Sequence, residues 1–304
     1  SELLSLFKID QNKMPPILSP FEVVGKTSAS FANLCGLVEG IPIVAGCGDT
    51  AASVFGAGLF EKGTLLDCAG TASVLCGTVK EYVPDTYTQT LSLMRSPEDG
   101  VWFPLAYING GGMDLHWMRT LFGYDQYDEL EEQAALVAPG SEGLLFIPHF
   151  AGRILPSVPE MHGGFVGLTW NHGKGHLFRA AMEGIAYEYA LYLESLHKLY
   201  PDTHFRTMYS IGGGAKSSLF VQIKSDVLGV NAVSFHQADT ALLGTAAIAG
   251  TGIGLIQDCK KAILSAQCKK QEYQFNTLHH KNYQLYRDAY ASLLNLLSHY
   301  YQSN

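Results

Sequence analysis

The sequence predicts an α/β fold, and three observations carry that expectation. Short apolar runs alternate with stretches of helical periodicity from residue 21 onward. Three of the runs end in glycine turns: Gly46-Cys47-Gly48, Gly110-Gly111-Gly112 and Gly212-Gly213-Gly214. Residues 175–199 form a helical stretch that stays apolar over most of its surface until Leu193, as a helix does when it is buried between a sheet and other helices.

In chain order, a strand is expected around residues 21–24 and a helix over 28–34, stopped by Gly36. Residues 41–45 are expected as a buried strand that runs through Gly46-Cys47-Gly48 to Asp49, with a small-residue helix over 50–56. Residues 64–66 and 74–77 read as the arms of a β-hairpin whose tip spans Asp67 to Ser73. The polar, Pro-containing residues 80–100 read as a loop or an edge excursion, followed by a strand at 101–108. Met113, Trp117, Met118 and Leu121 recur at helical spacing up to Gly123, and 125–138 is a second helix with a solvated acidic face at Asp128, Glu129, Glu131 and Glu132. Strands at 144–147 and 164–169 bracket an irregular connection. After the long helix come a strand at 205–211, a helix at 217–228, a strand at 232–235 and an Ala-rich helix at 240–250 able to pack very close to a neighbour. A last helix, 282–301, carries Tyr283, Tyr286, Tyr290, Leu293 and Leu297 along one docking stripe, whereas 260–278 has no legible pattern. No internal repeat or low-complexity segment interrupts this order.

At 304 residues and 47% hydrophobic, the chain can bury a sizeable core in one large domain or two smaller ones. A net charge of -8 and the lack of any Lys/Arg run exclude a polyanionic partner such as nucleic acid, yet leave room for a nucleotide held by backbone amides. Cys35, Cys47, Cys68, Cys76, Cys259 and Cys268 show no C-x-x-C and read as reduced core thiols of a cytoplasmic protein. His172 and His176 are spaced for one metal, but Gly173 and Gly175 disfavour the helix that would bring the rings together, and no metal ligands are assigned. His279 and His280 are expected to face solvent. No apolar run approaches ~18 residues, so no membrane span is expected, and no signal peptide is read. The chain opens on Ser1, without an initiator Met, with a short helix at 2–7 and a linker marked by Pro15, Pro16 and Pro20, as expected for the interior of a longer protein.

Asp49 is expected at the carboxyl end of a strand, where open α/β sheets place their chemistry. It suits a general base; it also suits an N-cap, and the two roles are compatible. The hairpin tip of Gly70, Thr71, Ala72 and Ser73 offers backbone N–H groups and hydroxyls to an anion. A carboxylate that can take a proton and a loop that can hold phosphate are the parts phosphoryl transfer most needs from a protein. Three glycine turns beside them suggest a nucleotide laid across a sheet edge, since glycine admits close backbone approach. Glu183, with Arg179 one turn before it, reads as half of a structural i,i+4 pair; Trp117 reads as core; Cys47 and Cys68 read as thiols near the site, sensitive to reagents but without a part in the chemistry.

Gly163-Gly164-Phe165-Val166-Gly167-Leu168, then seven residues, then His176-Leu177-Phe178-Arg179-Ala180-Ala181-Met182-Glu183 resembles the C-terminal signature of the FGGY family of carbohydrate kinases, in the actin, hexokinase and heat-shock chaperone ATPase superfamily. Ala45-Gly46-Cys47-Gly48-Asp49 resembles that family's catalytic-aspartate segment, Gly70-Thr71 its phosphate hairpin, and Ile211 to Ala215 its adenine-side loop; the likeness covers roughly residues 10–255. The resemblance implies a ribonuclease-H-like (actin-like ATPase) domain with a mixed central sheet flanked by helices. It implies that 1–20 are a linker or the end of a missing N-terminal domain and that 21–304 are the C-terminal nucleotide-binding domain. It implies ATP-dependent, Mg2+-requiring phosphorylation of a small sugar or polyol, a ketopentose such as xylulose first among them, with Asp49 as general base. Gly70 and Thr71 would hold the β- and γ-phosphates, Gly213, Gly214 and Ala215 would pass under adenine or ribose with Ser218 nearby, and Gly111 and Gly112 would form a wall of the nucleotide site. Implied partners are the sugar, the missing N-terminal kinase domain with its magnesium-linked aspartate, and a second copy if the protein is a homodimer. A half of this kind would be inactive alone.

Two positions depart from the family pattern: Gly152-Arg153-Ile154-Leu155-Pro156 stands where Gly-Glu-Arg-x-Pro is common, and Ser218 where some relatives have Asn. Two rivals remain. Gly46-x-Gly48-x-x-Ala51 fits a dinucleotide fingerprint, but Asp49 would oppose the pyrophosphate and a hairpin follows where a parallel strand is needed. A non-catalytic ATP-binding switch of the same superfamily would have no use for Asp49.

Overall fold

Strand β3 (Thr64–Ala69) lies at the middle of a seven-stranded mixed sheet, and the other elements are placed by their relation to it. The computed structural model describes residues 2–235, 239–267 and 269–303. Before β3 come α1 (Glu2–Leu6), β1 (Val23–Lys26), α2 (Ala29–Cys35), β2 (Pro42–Val44) and α3 (Asp49–Gly56). After it come β4 (Ser73–Gly77), β5 (Ser92–Arg95), β6 (Trp102–Ile108), α4 (Gly111–Leu121), α5 (Asp128–Ala135), β7 (Leu145–Ile147), β8 (Gly164–Val166) and α6 (Lys174–Leu199). The C-terminal part holds β9 (Thr207–Ile211), α7 (Ser218–Leu228), β10 (Asn231–Phe235), α8 (Thr240–Gly252), α9 (Cys259–Ala266), β11 (Lys269–Tyr273) and α10 (Thr277–Ser303). The sheet order is β11-β10-β9-β3-β4-β6-β5, with β3 parallel to β9 and antiparallel to β4.

Strand alternation sends neighbouring side chains to opposite faces, and both faces are covered. Leu65 and Ala69 join a core built with α6, α7 and α10, while Leu66 turns to a second cluster with Val54 of α3, Phe103, Ile211 and Val233. The long helix α6 is buried along most of its length, as its composition predicts. Its Glu183 accepts from Arg179 Nε at 2.8 Å, Tyr283 OH at 2.8 Å, Gly140 N at 3.0 Å and Ser141 Oγ at 2.8 Å. The carboxylate is therefore a structural knot between α6, α10 and the 140–141 turn. Arg153 also finds a role: its guanidinium lies 3.6 Å from Glu188, which accepts from His149 at 2.7 Å and Tyr290 at 3.0 Å. Arg153 and His149 hold the Glu188 carboxyl down to about 2 against the effect of burial.

Several expectations hold. The helix expected over 28–34 is α2, which Gly36 ends in the left-handed conformation, while Ser28 stands just before it as the N-cap, accepting from Phe31 N. The excursion over 80–100 contains the edge strand β5. Helix α8 does pack very close to a neighbour: a Cβ on Gly244 would lie 2.1 Å from Ala52 O of α3, and one on Gly56 would lie 1.9 Å from Thr240 O.

Others are corrected. The strand expected at 41–45 is only Pro42–Val44, largely exposed and paired with β1 in a separate two-stranded ribbon, with Val44 alone of its residues packed against α3 and α8. Residues 67–69 and 73 belong to strands, so the hairpin tip is only 70–72. Residues 260–278 hold most of α9 and all of β11, whose polar run Lys269–Tyr273 pairs at the sheet edge where side chains need not be apolar. His279 and His280 are half-buried, meeting Asp226 Oδ2 at 3.0 Å and Asp226 O at 2.9 Å. Trp117 is 46% exposed and stands edge-on to Phe150 at 5.1 Å, because α4 offers only its opposite face to the core. Of the described cysteines, all free thiols, Cys76 alone is buried, while Cys35 and Cys47 are exposed. Cys268 and Ser1 lie outside the described residues.

The α3/α8 contact sets two effects against each other. Replacing a helical glycine by alanine gains up to about 1 kcal/mol of helix propensity, but here the added methyl meets backbone that cannot swing aside. Overpacking should win, so Gly244→Ala is expected to lose about 1–3 kcal/mol in chemical denaturation; unchanged or increased stability would contradict the close crossing.

Candidate active site

The tip of the β3–β4 hairpin is enclosed from two sides by backbone. On one side α4 begins so close that a Cβ on Gly112 would lie 1.9 Å from Gly70 O, and one on Gly111 would lie 2.0 Å from Ser73 Oγ. Met113 N donates to Thr71 O at 3.1 Å across the same junction. On the other side the turn after β9 abuts Ala69: a Cβ on Gly214 would meet its methyl at 2.5 Å. Gly212 takes φ +80°, a conformation other residues rarely adopt, with Ala69 O beside it.

Between these walls opens a cavity of about 490 Å³. Gly70, Gly112, Gly213 and Gly214 line it, which brings together four residues assigned to nucleotide contacts from sequence. Phe178 and Met182 of α6, Leu115 of α4 and Phe220 of α7 add an apolar floor. Glu131, Lys216 and Ser217 contribute polar groups. Burial pushes the Glu131 carboxyl up, and the Ser217 hydroxyl draws it back. None of these floor and polar residues was singled out in the sequence as a contact. Glu131 was hidden in an acidic run that reads as solvated, and Phe178 and Met182 sat in plain view as apolar positions i and i+4 of the signature helix.

Other assigned residues stand off the cavity. Gly111 packs on Ser73, Thr71 is exposed at the tip, and Ala215 is buried just behind the turn. Ser218 faces β11, accepting from Tyr273 OH at 3.3 Å and donating to Gln271 at 3.4 Å, while its neighbour Ser217 caps α7 and lines the space. Asp49 is exposed, the first residue of α3 beyond Gly48, and its Oδ1 accepts from Thr50 N at 2.6 Å. It is not a side-chain N-cap: the cap position belongs to Gly48. The dinucleotide fingerprint loses its context, because the strand before Gly46 pairs antiparallel with β1 outside the main sheet.

Cys68 is no reactive thiol, since burial and Asp67 push it up to about 11. In His172 and His176 each Nδ1 accepts a backbone N–H, from Thr169 and Gly173, so the neutral rings keep a proton on Nε2 and are ill suited to a shared metal. No group of three or more His, Cys, Asp or Glu able to hold a metal occurs among the described residues. Among them, too, no helix is long and apolar enough to cross a membrane.

Comparison with known proteins adds independent findings. The model of the FGGY family of carbohydrate kinases, C-terminal domain, matches residues 68–253, and that of the same family's N-terminal domain matches residues 1–56. The second match takes in Asp49 and corrects the expectation that only a C-terminal half is present. The xylulose kinase of Staphylococcus epidermidis is 28% identical over 285 residues, 92% of this chain and 56% of that protein. A xylulose kinase and a gluconate kinase from Lactobacillus acidophilus, both of known structure, each superpose with a TM-score of 0.90 at 24% identity, covering 99% of this chain and 61% of theirs. At that identity the likeness concerns the fold: a mixed sheet flanked by helices, of the actin-like ATPase type. The chain thus spans somewhat more than half the length of these relatives.

Beside the cavity, Asp114 of α4 is buried to 2% exposure, its Oδ2 has no hydrogen-bond partner, and burial pushes its carboxyl up to about 7. Folded chains keep it protonated up to that pH, while unfolded chains ionise it above about 4. The unfolded state therefore binds fewer protons across this window, and stability falls as pH rises through it. Asp114→Asn, which cannot ionise, should stabilise the chain at pH 8 by about 1–3 kcal/mol in chemical denaturation, through the ionisation penalty it removes, and by clearly less at pH 5. An equal effect at both pH values would contradict the assignment.

Proposed function

The chain belongs to the FGGY family of carbohydrate kinases, and from that premise we propose that it supplies the nucleotide site and general base of an ATP-dependent sugar kinase. The observation that carries this reading is the cavity of about 490 Å³ walled by Gly70, Gly112, Gly213 and Gly214. Its apolar side chains suit a nucleoside, and the hairpin tip suits phosphates, which backbone N–H groups and the Thr71 hydroxyl would hold. Gly213, Gly214 and Ala215, with Ser217 ahead of Ser218, would form the adenine and ribose side.

Asp49 would take the proton of the acceptor hydroxyl as that oxygen bonds to the γ-phosphorus and the bond to the β-phosphate oxygen breaks, releasing ADP. Its exposed carboxylate, with the bond from Thr50 N on Oδ1, leaves Oδ2 for that task. Mg2+ is expected with the nucleotide, where it would neutralise charge on the transferring phosphoryl group. Residues 21–304 would act as one unit, a view supported by Phe21 and Val44 packing with Phe55 and Ile248. The exposed Val23, Val24, Phe31, Ile41 and Ile43 on and beside the β1–β2 ribbon suit a surface that further N-terminal-domain polypeptide covers, closing a cleft over the sugar.

A ketopentose such as xylulose is the first candidate acceptor, supported by the xylulose kinase relatives, and gluconate is the second, supported by the gluconate kinase neighbour. A catalytically silent ATP-binding switch remains the alternative function. The test is ADP release by the full-length gene product with ATP and Mg2+ across pentuloses, hexuloses, polyols and aldonates. One sugar should give turnover, and Asp49→Asn should lose ~10²-fold or more with ATP affinity unchanged. Full activity in the variant would remove Asp49 from the mechanism, and ATP binding without turnover on any sugar would favour the switch.

A further inference from the structure

Directly behind the cavity lies a buried ion pair that the kinase reading does not use. We propose that Asp67 and Lys224 are positioning residues that set the span between the phosphate end and the base end of the nucleotide site. The proposal rests on the cavity being that site.

Asp67 and Lys224 side chains are both 0% exposed, and Lys224 Nζ donates to Asp67 Oδ2. Tyr189 OH donates to the other carboxylate oxygen at 3.1 Å. The ammonium also sits 4.0 Å from the centre of the Phe220 ring. Each partner stands at a fixed offset from a cavity wall. Asp67 is in β3, just before Ala69-Gly70. Lys224 lies one helical turn beyond Phe220 and two beyond Ser217, on α7. Tyr189 lies two turns beyond Met182 on α6, on the same face. One polar cluster thus ties three elements together, and each presents a residue to the ligand space.

Stability alone does not account for such a pair. A buried ion pair is often no better than apolar side chains of the same volume, because both charges lose their water. What charge-assisted hydrogen bonds add is direction and distance. An apolar pair would fill the space but let β3 and α7 slide by fractions of an ångström. A ligand gripped at both ends feels such a slide; a ligand gripped at one end does not.

The test compares ATP, adenosine and inorganic tripolyphosphate binding by NMR titration to the wild-type chain, to the volume-matched double variant Asp67→Asn/Lys224→Met, and to Tyr189→Phe, which deletes a single hydroxyl. Thermal unfolding of each variant is followed alongside. The double variant is expected to stay folded and to lose about tenfold or more in ATP affinity, as small misplacements do, while adenosine and tripolyphosphate keep theirs. Tyr189→Phe should show the same selective loss, smaller in size, and decides the matter if the double variant does not fold. Equal ATP affinity in the variants, or a parallel loss for all three ligands, would overturn the positioning role. Failure of ATP to bind the wild-type chain would instead strike the nucleotide-site reading itself.

Discussion

Everything at the candidate site depends on how closely the tip of one hairpin approaches two other backbone segments. Gly112 meets Gly70 O, and Gly214 meets the Ala69 methyl, at distances that leave no room for a Cβ. These glycines are required by packing before any ligand is considered. At the hairpin tip the cavity is walled by the glycine backbone of Gly70, Gly112, Gly213 and Gly214, and elsewhere by side chains such as Phe178, Met182 and Phe220. Because β3 is the central strand, bonded on both sides, the tip cannot drift without disturbing the sheet.

Buried carboxylates extend that logic through the body. Glu183 joins α6 to α10 and to the 140–141 turn; Glu188 joins α6 to Arg153 and His149 in the irregular connection and to Tyr290 of α10; Asp67 joins β3 to α7 and α6. In each case the carboxylate is met by a cation and by a hydroxyl or a backbone N–H, as a charge held away from water requires. Helix α6 takes part in all three. The signature residues Arg179 and Glu183 thus serve to fasten the helix whose Phe178 and Met182 floor the cavity.

Much of this was legible in sequence wherever one local rule decided the outcome. The end of α2, the β3–β4 hairpin, the length of α6 and the close packing of α8 follow from Gly36, from the apolar arms around Gly70, from continuous apolar character and from small residues. What stayed hidden depends on partners distant in the chain. An apolar run at 41–45 signals burial, yet its ribbon lies off the main sheet and only Val44 turns onto α3 and α8. Lys269–Tyr273 becomes a strand only because β10 offers it an edge. Ser217 and Ser218 are indistinguishable by type, and the start of α7 alone sends one to the cavity and the other to β11. Lys224 looks like an ordinary helical surface lysine until Asp67 faces it.

The central claim, that Gly70, Gly112 and the Gly213–Ser217 turn enclose one nucleotide, is tested most directly by hydrogen–deuterium exchange of the chain with and without ATP. Exchange is predicted to slow together in peptides covering residues 66–76, 109–116 and 211–220, and to leave the β1–β2 ribbon unchanged. Protection that appears elsewhere, or in one of the three segments without the others, would contradict the account.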